Sequence, residues 1–107
     1  MIQNPSGPRL VFKVPFDERT AFEIEQKGWC GIAAVEMPNG QRVDVFFYDP
    51  VRLAQDLQAD IDSGKTCIAE PGMIVIPRIT IPNIENAVQQ LFREGYFNRL
   101  FPSTIQS

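Results

Sequence analysis

A chain of 107 residues with 44% apolar and 21% charged side chains makes one domain, with enough core to fold without a metal or a disulfide frame. Its net charge of -3 and pI near 4.8 oppose non-specific binding to nucleic acid or to an anionic membrane surface, and no apolar run reaches the length of a membrane span. It contains no histidine, which excludes Ser-His-Asp and Cys-His nucleophiles and the commonest zinc ligand.

Residues 1–8, rich in Pro, Ser, Gly and Asn, read as a flexible leader without the regions of a signal peptide, so residues 9–107 are expected as a single cytoplasmic domain. Leu10, Phe12, Val14 and Phe16 alternate with Val11, Lys13 and Pro15, the pattern of a strand whose proline sits near its end or on an edge. Over residues 20–26, Phe22 and Ile24 alternating with Glu23 and Glu25 predict a strand, against the short helix that an Asp17 cap and a Gly28 stop would suit.

Residues 31–62 carry the strongest local signal. Two alternating runs flank Pro38, Asn39 and Gly40. With Pro38 and Asn39 at the centre of a type I turn and Gly40 left-handed as a bulge residue, Met37 pairs with Gln41, Glu36 with Arg42, Val35 with Val43 and Ala33 with Val45. A two-residue loop at Asn39 and Gly40 would instead mix polar and apolar partners. The chosen register puts Ala33, Val35, Val43, Val45 and Phe47 on one face, and Ile32, Ala34, Glu36, Arg42, Asp44, Phe46 and Tyr48 on the other. Asp49 and Pro50 then start a helix in which Val51, Leu53, Ala54, Leu57 and Ile61 recur at helical spacing, with Arg52, Asp56, Asp60 and Asp62 largely on the opposite, solvated side. Gly64 ends it.

Residues 73–76 form a short β-branched run expected to be buried on both faces, and Pro77 limits its pairing. Ile84, Ala87, Val88, Leu91 and Phe92 predict a second helix with its stop at Gly95. The order strand, strand, strand, strand, helix, strand, helix predicts an α+β fold: a mostly antiparallel four- to five-stranded sheet with two helices packed on one face.

No pattern here carries a reaction. Asp56, Asp60 and Asp62 supply too few oxygens for a cation from one helix. Cys30 lacks an imidazole to activate it, and Cys30 and Cys67 are expected as free thiols. The arginines are scattered among acids, so no cofactor, metal or nucleic acid is implied.

Two apolar features remain. One is the outer hairpin face with Ile32, Phe46 and Tyr48; the other is the aromatic C-terminal run with Tyr96, Phe97, Leu100 and Phe101 around Arg99. Together they form the candidate interface, either closed within the chain or shared with a second copy in a homodimer. The expected function is non-enzymatic protein binding, of adaptor or inhibitor type. The alternative is a small-molecule binder or metal-independent enzyme with a site between sheet and helices that uses carboxylates, Arg and Tyr48 or Tyr96.

Overall fold

The computed structural model describes residues 7–100. In chain order it contains β1 (Arg9–Phe12), α1 (Glu18–Lys27), β2 (Trp29–Glu36), β3 (Arg42–Tyr48), α2 (Pro50–Asp62), β4 (Met73–Val75) and α3 (Ile81–Arg93), followed by a 3-10 turn at Phe97–Leu100. The four strands form one sheet in the order β1-β2-β3-β4, antiparallel except for the parallel β3–β4 pair. The fold is therefore α+β with a mixed sheet and three α-helices.

The expected element order is corrected at residues 20–26, which are helix. Asp17 caps α1 by accepting from the Thr20 backbone N–H at 2.9 Å, and the N–H of Gly28 donates to the Ile24 carbonyl at 2.9 Å. The apparent alternation spans only Phe22 and Ile24, and α1 buries Ile24 while Phe22 is left 63% exposed. Helix capping at both ends, together with Glu and Lys as good helix formers, outweighs so short a pattern. The first strand also stops earlier than its sequence pattern, at Phe12, after which the Phe12 and Phe16 rings stack with centroids 4.1 Å apart.

The hairpin has the expected register: Glu36 pairs with Arg42, Val35 with Val43 and Ala33 with Val45, and Gly40 sits at φ 92°. Nothing crowds Gly40, so Gly40→Ala should cost only the left-handed backbone penalty, about 1 kcal/mol, read as a lower urea midpoint with an unchanged slope.

Further along, β2 contains a bulge. Cys30 pairs with Phe47 and Ala33 with Val45, so Gly31 and Ile32 together stand opposite Phe46. The extra residue reverses the alternation, turning Cys30 into the core beside Phe47 and leaving Trp29 level with Tyr48.

The core lies on one sheet face. Ala33, Val35, Val45, Phe47 and Ile74 from the strands meet Ile24 of α1, Ile84 and Val88 of α3, and Phe97. Met37, Ile76 and Ile79 complete it.

The expectation of helices on one face fails at α2. Nothing in α2 is buried, none of its residues belongs to the core cluster, and Asp56, Ala59 and Asp60 border a cleft with Phe46 and Tyr48 on the outer face. Helices thus flank both faces. At the sheet edge, Ile74 is buried but Val75 is 47% exposed, so β4 is covered on one face rather than two. Among the described residues no helix is long and apolar enough to cross a membrane.

Candidate functional site

The outer sheet face and α2 enclose a cleft of about 440 Å³. Trp29 from the start of β2 and Phe46 and Tyr48 from β3 form its sheet side. Asp56 and Asp60 of α2, with Glu70 from the loop before β4, supply three carboxylates. The β2 bulge shapes the aromatic side: a methyl group on Gly31 would lie 2.5 Å from Cζ2 of Trp29, so the indole lies against the bare backbone there. Glycine at 31 is what lets the ring approach so closely.

The rotation of α2 decides which of its side chains meet the cleft. Its first turn is tied to the corner between α1 and β2: the Asp49 N–H donates to the Gly28 carbonyl at 2.9 Å, and Arg52 Nη1 donates to the Lys27 carbonyl at 3.1 Å. Asp49 caps the helix by accepting from the Arg52 N–H at 2.8 Å. Arg52 Nε also donates to Asp56 at 3.0 Å. These polar ties turn the Arg52, Asp56 and Asp60 side toward the sheet, with Leu53 and Leu57 half-buried beside it. Val51 and Ile61 face water, 67% and 46% exposed. The helix is therefore rotated part-way from the orientation its apolar pattern implies: Leu53 and Leu57 stay half-buried, while Val51, Ala54 and Ile61 are left outside.

Among the described residues, Asp60 and Glu70 have no ion-pair partner, whereas Asp56 is held by Arg52. No three acidic or thiol side chains converge as a metal-ligand set among these residues, so the carboxylates border a space rather than a point. Burial, and after it the Asp56 and Asp60 carboxylates, push the Tyr48 phenol above its ordinary pKa. Across the sheet, burial likewise pushes the Cys30 thiol up, which suits a core residue and not a nucleophile. Cys67 is a free, exposed thiol.

The candidate interface residues divide between the two faces. Phe46 and Tyr48 border the cleft, half-buried. Phe97 is fully buried in the core, Tyr96, Leu100 and Ile32 pack partly buried against it, and Arg99 is exposed. The Tyr96 and Phe97 rings meet edge to face at 5.4 Å. The tail through Leu100 thus completes the core face and leaves the outer face to α2, while Phe101 lies outside the described residues.

Elsewhere, Asp62 accepts from Gln58 at 2.9 Å and Asp44 pairs with Lys13 at 3.1 Å, both at the surface. Sequence reasoning did not single out Trp29, Gly31 or Glu70 as parts of one site. The available signal was a lone tryptophan two residues before a glycine, inside a strand. Compared with protein-family models, curated proteins and solved structures, the chain matches none, and the cleft is read from its own chemistry.

Proposed function

We propose that this chain is a ligand-binding domain whose recognition site is the cleft between the outer sheet face and α2. The observation that supports it is the grouping of Trp29, Phe46 and Tyr48 along one side of a cleft that α2 closes with polar side chains. Apolar walls with a few polar groups are the usual makeup of a small-molecule site, and 440 Å³ falls in the usual size range. The reading also places the chain in the cytoplasm, in keeping with two free thiols.

The test fills the cleft without touching the core. Ala59 borders it from an exposed helix position, and arginine is a good helix former there, so Ala59→Arg should fold with a near-unchanged melting temperature. In a ligand-observed NMR screen of anionic, neutral and cationic fragments, the native chain should give hits that Ala59→Arg loses. A screen with no hits, or hits equally strong on the filled variant, removes the cleft as a binding site.

A second reading, association with another copy of the chain, is favoured by the exposed Val51, Ala54 and Ile61 along the outer side of α2. Light scattering over a hundredfold concentration range should then show a mass rising toward the dimer. A constant monomer mass removes this reading.

A further inference from the structure

We propose that the cleft takes an organic cation with an alkylated ammonium group, an inference that rests on the reading of the cleft as the binding site. Three kinds of observation lead to it. The first is the aromatic wall: Trp29, Phe46 and Tyr48 come from adjacent strands, and the indole of Trp29 occupies the space that a side chain at position 31 would fill. Ring faces carry negative potential and attract a cation whose hydration shell is weak enough to be shed.

The second is the charge balance. Asp56, Asp60 and Glu70 border the same space, and among the described residues the one cation bonded to any of them is Arg52 on Asp56. Two carboxylates are thereby left over, a local excess that repels anions and favours a ligand of positive charge.

The third is the spread of the acids. Because the carboxylates do not converge, a small metal ion finds no ligand set among the described residues. A primary ammonium or a guanidinium needs acceptors for several N–H groups at hydrogen-bond distance, whereas a quaternary ammonium has no N–H to satisfy. Its charge, spread over methyl groups, suits ring faces on one side and carboxylates at longer range on the other.

Trp29 is the only tryptophan of the chain, so intrinsic fluorescence reports on the cleft directly. The full chain is titrated with choline, with its neutral carbon isostere 3,3-dimethyl-1-butanol, and with a short peptide carrying trimethyllysine. At least one of the two trimethylammonium ligands should give a saturable change, about tenfold tighter than the isostere. Whichever of the two binds more tightly identifies the source, a free metabolite or a modified side chain. The double variant Asp60→Asn, Glu70→Gln should weaken that binding about tenfold and leave the isostere unchanged. Both positions are partly or fully exposed, so the fold should survive the change. An isostere that binds as tightly as the cations, or cation binding indifferent to loss of both carboxylates, overturns the cation assignment. So does the absence of a saturable change with either cation at tens of millimolar. Fragment hits lost in Ala59→Arg would still mark the cleft as the site in each of those cases, so the two failures are distinguishable.

Discussion

Truncating the chain after Gly95 should abolish its cooperative unfolding transition, because the segment it removes contains a large side chain of the core. Phe97 is fully buried among Ile84, Val88 and the core-facing strand residues, with Tyr96 and Leu100 packed at its border. Its seat is defined by the chain path after α3: the Tyr96 N–H donates to the Leu91 carbonyl at 3.0 Å, and Arg99 N–H to the Tyr96 carbonyl at 3.1 Å, winding the 3-10 turn back onto the core. Deleting a buried phenylalanine side chain alone costs about 3–5 kcal/mol. A small domain has about 5–15 kcal/mol in total, so losing Phe97 with its two neighbours consumes most of the margin. The point variant Phe97→Ala isolates this term from residues 101–107, and urea denaturation should show an unfolding free energy lowered by that amount, seen as a lower midpoint with the slope kept. A truncated chain with an unchanged midpoint would show that the tail does not complete the core.

The tail was expected to cover the hairpin's outer face or that of a neighbouring chain, since Tyr96, Phe97 and Leu100 had no other assigned partner. Composition shows that an aromatic segment must be buried, but not on which face of a sheet, and here it seats on the face where α3 lies. The hairpin was legible in detail because each wrong register mispairs several side chains at once, so local rules and packing agree on one answer. Residues 20–26 show a two-step alternation that suggests a strand, but the hydrogen bonds of the Asp17 and Gly28 caps decide for helix, and their strength is not visible in the side-chain pattern.

The rotation of α2 was illegible for another reason. Its apolar positions point one way, yet the ties from Arg52 to Lys27 and from Asp49 to Gly28 join the start of α2 to the end of α1, far apart in sequence, and fix the helix from its first turn. Side-chain periodicity carries no information about such contacts. Half of the cleft, Phe46 and Tyr48, was legible as an uncovered apolar face. The acidic half has the sequence pattern of a solvated helix surface, and Trp29 reaches the cleft only through a bulge at Gly31 that the alternation conceals.

The second large effect is expected at Gly72, where the loop that carries Glu70 enters β4. Gly72 is buried at φ 84°, a conformation that costs an L-residue about 1–2 kcal/mol. A methyl group there would also lie 2.4 Å from the carbonyl oxygen of Asp44, on the backbone of β3. That oxygen cannot retreat freely, because Asp44 is paired with Ala34 in the centre of the sheet. Neither can Gly72, whose own carbonyl accepts from the Phe46 N–H at 3.0 Å at the start of the parallel ladder. Gly72→Ala should therefore cost roughly 3 kcal/mol or more, against about 1 kcal/mol for Gly40→Ala, where the added methyl meets open space. The same displacement would move Phe46 and Glu70 relative to each other, so Gly72→Ala should also weaken whatever the cleft binds, whereas Gly40→Ala should leave binding alone. Urea midpoints and Trp29 fluorescence titrations of the two variants, taken side by side, test both halves. Equal midpoints would mean that β4 does not press on β3 at this point, and the loop carrying Glu70 would lose its fixed relation to the aromatic wall.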